Sequence, residues 1–273
     1  MAFLGRNVRS NYYDTLGFVN DPHRKQGLEN LLKENVIDIK GISTYLLKFD
    51  VPAKYRVIMW ELLLGILPKH RECHTFIMTQ LKESYHDLKR AALITNKSVD
   101  ESNKPNLLIS DFYTVSEPIK PLARLIFNVV KLEEEAYMIF RSFVKLQQKW
   151  STYTKALQLQ MQHFLELEDH DLYQFLDSSK ILPSLPLSEW FETCYAGILQ
   201  DSTLHRILDK VIAGSRLILL FVAITILISF KESIMTCNEI EMLPKIVNIP
   251  YDRSEAIAAK SIETWERYGS LLI

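Results

Sequence analysis

Apolar residues recur at intervals of three and four along most of the chain, which is the spacing of one face of an α-helix. The stretch from Arg124 to Trp150 has this spacing and predicts long helical material. Ser254 is a candidate N-cap for a last helix that ends at Gly269. The clearest apolar stripe consists of Ile77, Leu81, Tyr85, Leu88 and Ala92. The pattern therefore predicts a succession of amphipathic helices.

Strand signals, by contrast, are scarce. No Asn-Gly or Asp-Gly pair marks a hairpin, and eight glycines in 273 residues are few for a turn-rich fold. We therefore predict an all-α protein. The polar segment from Thr95 to Asn106 and the segment from Ser178 to Trp190, with its two prolines, are connections that could divide two helical subdomains.

The most apolar run extends from Leu217 to Phe230, between Arg216 and Lys231. A helix that spans a membrane needs about 20 apolar residues, whereas runs of about 10–14 are typical of buried core helices. Thr225 also interrupts the run. Its length favours a central helix that is buried on all sides, and we expect no direct insertion into a membrane.

Composition excludes several classes of function. With 32 basic and 33 acidic residues the net charge is −1, and no basic stripe suggests binding of nucleic acid. No two glycines lie close enough for a dinucleotide or Walker A loop, so no nucleotide cofactor is expected. Three widely spaced cysteines fit a reducing compartment, and the N-terminal segment lacks the apolar core of a signal peptide.

One cluster of potential metal ligands lies between His70 and His74. Two histidines four residues apart share a helix face, and Glu72 and Cys73 could add ligands. The order H-x-E-x-H differs from the H-E-x-x-H of zinc peptidases, and Arg71 brings a positive charge. A solvated helix end is the favoured interpretation, so no metal is expected.

Three segments, in order, resemble the TBC domain, the all-helical domain that activates GTP hydrolysis by Rab-type GTPases. The segment from Tyr55 to Gly65 is similar to the family's R-x-x-x-W…LLG pattern, with Arg56 and Trp60 in place. Further along come Trp190 with Phe191, then L-H-R-I-L-D ending at Asp209, then Gly214 and the apolar run. The resemblance implies a TBC domain over residues 46–273, with residues 1–45 as a helical extension packed on it.

Arg56, Trp60 and Asp209 also have a structural interpretation. Arg56 and Trp60 lie four residues apart on one helix face, where tryptophan packs and arginine pairs with a carboxylate. Asp209 is expected to cap a helix or to form an ion pair inside the domain. We therefore assign these residues to folding.

The resemblance implies two catalytic positions in the family, an arginine in I-x-x-D-x-x-R and a glutamine in Y-x-Q. They neutralise charge on the transferred phosphoryl group and position the attacking water. Here Thr114 stands at the expected arginine position, and no tyrosine is followed two residues later by glutamine. No catalytic residue is assigned, although Arg90, three residues after Asp87, is a weak candidate.

Within the family, the chain resembles the non-catalytic TBC subunits of tuberous sclerosis complexes. The similar segments are RSNYYDTLGF, WELLLGILP, FLELEDHDL, Asp209 to Lys231, and NIPYDRSEAI. This implies a cytoplasmic scaffold that binds the C-terminal coiled coil of hamartin and, through it, tuberin, and that reaches lysosomal or vesicle membranes through these partners. The alternative is an active Rab GTPase-activating protein with unorthodox catalytic residues, whose partner is a small GTPase such as Rab or Rheb.

A coiled-coil partner requires an exposed apolar anchor. At about 100° per residue, Phe76 points about 140° away from the apolar stripe of its helix. Thr79, Gln80 and Glu83 share its side. These four residues are the candidate partner-binding face, and a second buried contact inside the domain is the alternative.

Overall fold

A computed structural model describes residues 22–95, 119–150, 154–236 and 249–270. These ranges hold thirteen α-helices and no β-strand, which confirms the all-α prediction. The helices are α1 (Pro22–Lys33), α2 (Ile39–Lys48), α3 (Ala53–Leu63), α4 (His74–Thr95), α5 (Lys120–Val129), α6 (Glu133–Trp150), α7 (Thr154–Glu168), α8 (His170–Ser178), α9 (Leu187–Thr193), α10 (Asp201–Ile212), α11 (Ile218–Ser229), α12 (Lys231–Thr236) and α13 (Tyr251–Arg267). Short 3₁₀ helices cover Arg71–Cys73 and Leu182–Ser184.

Helix α11 is the centre of the core. Every residue from Ile218 to Leu227 is buried, because α13, α7, α10, α9 and α12 all pack against this helix. No helix in the described ranges is both long and apolar enough to cross a membrane. The prediction of a core helix is therefore confirmed.

One predicted helix start was wrong, and one stretch predicted as helical is interrupted. The material from Arg124 to Trp150 is divided between α5 and α6, because the chain extends at Val130 and a new helix starts at three successive glutamates. Acidic residues favour such a start, since they face the positive end of the helix dipole. Ser254 is not an N-cap, because α13 begins at Tyr251 after Pro250 and the buried Ser254 hydroxyl donates to the Ile249 carbonyl at 3.0 Å.

The N-terminal helices are joined to the rest of the domain through α10. Helix α1 packs on α2, and α2 packs on both α3 and α10. The Ser43 hydroxyl donates a hydrogen bond of 2.8 Å to the carbonyl of Ala213, just after α10. The boundary expected between residues 45 and 46 falls inside α2.

Helix α4 lies against α6 at the edge of the helix assembly. Its predicted apolar stripe does face inward: Tyr85 and Ala92 are buried in a small cluster with Tyr137 and Met138 of α6. The other side of α4 carries the candidate partner-binding face.

Candidate functional site

All four side chains of the candidate face on α4 are exposed. Phe76 is 69% exposed, which is unusual for a large aromatic side chain. Its polar neighbours bond within their own helix: Gln80 Nε2 donates to Glu83 Oε2 at 3.1 Å, and the Thr79 hydroxyl donates to the Thr75 carbonyl at 2.9 Å. Since no described segment covers Phe76, this ring is available for contact with another molecule.

A second exposed apolar side chain on α4 was missed by the sequence analysis. Ile94 is 67% exposed. It follows Phe76 by five full helical turns, so both side chains lie on one line, about 27 Å apart along the helix axis. The signal was present in the sequence as an i, i+18 spacing of apolar residues outside the main stripe.

Charged residues occupy the line between these two ends. Glu83, Asp87 and Arg90 lie there, and all three are exposed. The Arg90 guanidinium is 4.0 Å from the Asp87 carboxylate, and both side chains are about three-quarters exposed. Arg90 therefore belongs to a solvated surface pair.

Arg56, Trp60 and Asp209 meet in the interior between α3 and α10. Arg56 Nε lies 3.0 Å and 3.1 Å from the two carboxylate oxygens of Asp209. The Trp60 indole N–H donates to Asp209 Oδ1 at 2.8 Å. Burial raises the pKa of Asp209, and the charge and hydrogen bond of Arg56 oppose that shift. This buried network fixes α3 on α10 and engages the Arg56 guanidinium with a carboxylate.

Lys210 performs a second anchoring role that the sequence analysis missed. The side chain is 2% exposed, and its ammonium donates to the carbonyls of Leu46 at 2.7 Å and Phe49 at 3.2 Å. These carbonyls lie at the C-terminal end of α2, where the helix dipole favours a cation. Burial lowers the pKa of Lys210, while Asp209 opposes this shift.

Trp190 and Gly214, the other residues that resemble the family's pattern, also have structural roles. Trp190 of α9 is buried beside Tyr195, whose hydroxyl donates to the Leu219 carbonyl of α11 at 2.7 Å. Gly214 follows α10 with a φ of +111°, a conformation that glycine adopts without strain. This turn leads the chain from α10 directly into α11.

The segment from His70 to His74 forms the start of a helix. His70 precedes the 3₁₀ helix, and the His74 ring nitrogen lies 2.8 Å from the Pro68 carbonyl oxygen. In the described ranges no three His, Cys, Asp or Glu side chains converge as a metal site would require. Thr114 lies outside the described residues.

A concave region of about 1090 Å³ lies among α3, α5, α10 and α13. Its two arginines are engaged, Arg56 with Asp209 and Arg206 with Glu255. Burial lowers the pKa of His205 to about 3, and the charges of both arginines contribute, so this imidazole is neutral at pH 7. Both guanidinium groups therefore already face a carboxylate.

Comparison with known proteins agrees with this architecture. Residues 119–235 match the model of the Rab-GTPase-TBC domain. The crystal structure of the Ypt/Rab-GAP domain of Gyp1p superposes with a TM-score of 0.64, covering 90% of this chain and 98% of that one at 14% identity, which shows a shared fold.

Similarity to curated proteins extends over almost the whole chain. TBC1 domain family member 7 from Bos taurus and from Homo sapiens are each 35% identical over 280 aligned positions, covering 96% of this chain and 95% of each relative. The Xenopus tropicalis protein of the same name is 32% identical over the same shares. The chain therefore belongs to the TBC-domain family and is a homologue of TBC1 domain family member 7.

Proposed function

We propose that this protein is a non-catalytic TBC-fold scaffold that binds the C-terminal coiled coil of hamartin and stabilises the hamartin–tuberin assembly. The observation that carries the proposal is the exposed face of α4, with Phe76 and Ile94 at its two ends. In this role tuberin supplies the activation of Rheb, and the subunit restrains mTOR signalling through the assembly. Cytoplasmic subunits would reach lysosomal membranes through these partners.

The shape of this face suits a long helical partner. Two apolar anchors separated by about five turns can contact one partner helix that runs alongside α4. The charged residues between the anchors would form the polar part of such an interface, while the side chains of Phe76 and Ile94 supply most of the affinity. The inner side of α4 rests on α6, so the helix presents a supported surface.

The sequence supports a role without catalysis of its own. Thr114 has neither the charge nor the reach of a catalytic arginine, and the Y-x-Q glutamine is absent. Arg90 is exposed and paired with Asp87, so nothing holds it rigidly in place for transition-state stabilisation. These features favour a binding function over the alternative of an active Rab GTPase-activating protein.

Isothermal titration of the full chain with the purified C-terminal coiled coil of hamartin tests the proposal. Phe76→Asp should weaken binding by about 2 kcal/mol or more, roughly 30-fold, because it removes an apolar anchor. Leu159→Asp is the matched control, since Leu159 is 68% exposed on the distant helix α7 and should not change the affinity. No binding of the wild-type chain at micromolar concentration would refute the proposal.

A panel of GTP-loaded Rab proteins distinguishes the catalytic alternative. We expect the rate of GTP hydrolysis to be unchanged by the chain for every Rab protein. Acceleration of any one of them, lost in an Arg90→Ala variant, would instead establish an active enzyme with an unorthodox arginine.

A further inference from the structure

A pocket of about 270 Å³ opens where the end of α3 meets α4 and α6. Its walls are mostly apolar, formed by Ile66, Met78, Leu81, Leu132 and Met138. Glu61 of α3 reaches into it, although this residue is only 5% exposed. Its Oε1 atom has no hydrogen-bond partner within the described part of the chain. A buried carboxyl oxygen without a partner is costly, which makes this position a candidate for contact with another molecule.

The charges around Glu61 are mostly of the same sign. Glu134 and Glu135 of α6 also line the pocket, and Lys82 of α4 is the cation that lines it. Lys82 is already engaged with Glu134 at 3.2 Å. Burial raises the pKa of Glu61 to about 8, with a further contribution from the charge of Glu135. Burial likewise raises the pKa of Glu135. The pocket thus offers two carboxyl groups, and the cation that lines it, Lys82, already pairs with a third carboxylate, that of Glu134.

We propose that the pocket receives a lysine or arginine side chain from the partner helix that docks on α4. This inference rests on the proposed function and specifies the partner's chemistry. Thr79 belongs both to the candidate face and to the wall of the pocket, so one partner helix can reach both. The methylene stem of a long basic side chain fits apolar walls, and its charged end can bond to Glu61 and Glu135.

Such docking couples binding to proton release. Glu61 is protonated in the free chain at pH 7 and must ionise to pair with the incoming cation. Binding should therefore weaken as pH falls. For a single carboxyl of this pKa, the dissociation constant should be about tenfold lower at pH 7 than at pH 6. The neighbouring groups that share the pocket are Glu134, Glu135 and Lys82.

Calorimetry of the full chain with the hamartin C-terminal coiled coil, at pH 6 and pH 7, tests the inference. Glu61→Gln should bind about tenfold or more weakly at pH 7 and should lose the pH dependence that the wild type shows. Its thermal unfolding midpoint should be equal to or above that of the wild type, because a neutral amide replaces a buried acid. Weaker binding without loss of stability separates a contact with the partner from a structural role.

Two further variants complete the design. Glu135→Gln should weaken binding in the same direction, and it tests the pocket even if Glu61→Gln fails to fold. Glu263→Gln on α13, which is exposed and remote, should change neither affinity nor pH dependence. If Phe76→Asp weakens binding while both pocket variants bind as the wild type does, the inference is overturned and the proposed function stands. Absence of binding by the wild type overturns both.

Discussion

Removal of the Asp209 carboxylate should destabilise the fold more than almost any other single polar change. Asp209→Ala deletes the acceptor of two contacts from Arg56 and one from Trp60. The Arg56 guanidinium is only 5% exposed, so it would remain in the interior with a single carbonyl bond to Val51. The variant therefore creates an uncompensated buried charge.

The expected magnitude follows from this geometry. Loss of one partner of a buried ion pair typically costs about 3–5 kcal/mol. Total stabilities of native domains are about 5–15 kcal/mol, so roughly a fifth or more of the free energy of unfolding is at stake. For a chain of this length, each kcal/mol lowers the melting temperature by roughly 2–4 °C, which gives an expected decrease of roughly 6–20 °C.

Urea titration followed by circular dichroism measures the effect, and a double variant tests its cause. Arg56→Met combined with Asp209→Leu removes both charges, so it should be less destabilised than the sum of the two single changes by about 1–3 kcal/mol. Lys260→Ala is the control. It breaks an exposed ion pair with Glu263 and should change stability by less than about 0.5 kcal/mol. An Asp209→Ala variant within about 1 kcal/mol of the wild type, or strictly additive single changes, would contradict the argument.

Three further variants probe other features of the fold. Gly214→Ala should lower stability by about 1–3 kcal/mol, because the backbone at Gly214 has a φ of +111°. Gly27→Ala, at an exposed position of α1, should raise stability by up to about 1 kcal/mol. Equal effects of the two changes in thermal melts would exclude backbone strain as the cause. Ile224→Asp should abolish folding, since Ile224 is 1% exposed in α11, and a folded, monodisperse variant in size-exclusion chromatography would argue against a core role. Between about pH 5 and pH 8, Glu61→Gln should gain about 1.4 kcal/mol of stability relative to the wild type per pH unit. The cause is the raised pKa of Glu61, which keeps this residue protonated in the folded state while it ionises in the unfolded state. Parallel stability curves of the two proteins in urea denaturation would disprove the raised pKa of Glu61.

The features that could be predicted from sequence are those set by local periodicity. The stripe of α4 and the continuous apolar character of α11 are visible within a few helical turns, and the structure places both as expected. The face of Phe76 followed from the same geometry, although its role as a partner contact remains a prediction. The start of α13 was placed incorrectly because the side chain of Ser254 bonds backward to Ile249, and its sequence resembles that of an N-cap.

Other features depend on residues far apart in the chain. The buried Lys210 ammonium donates hydrogen bonds to carbonyls more than 160 positions away in the chain, and no local pattern predicts that arrangement. Glu61 follows Trp60 in a segment whose carboxylate could equally have faced solvent. Its burial is produced by the approach of α4 and α6, which only the folded chain determines. The pocket was therefore absent from the sequence-based interpretation.

The burial of α11 has a consequence for synthesis on the ribosome. Its richest contacts are with α13, which is completed only at Arg267, about 40 residues after Leu227. At elongation rates of about 5–20 residues per second, a nascent chain would carry this apolar helix without its α13 partner for roughly 2–8 s. Because this core closes last, we expect chaperone capture during this interval and degradation of chains truncated before α13.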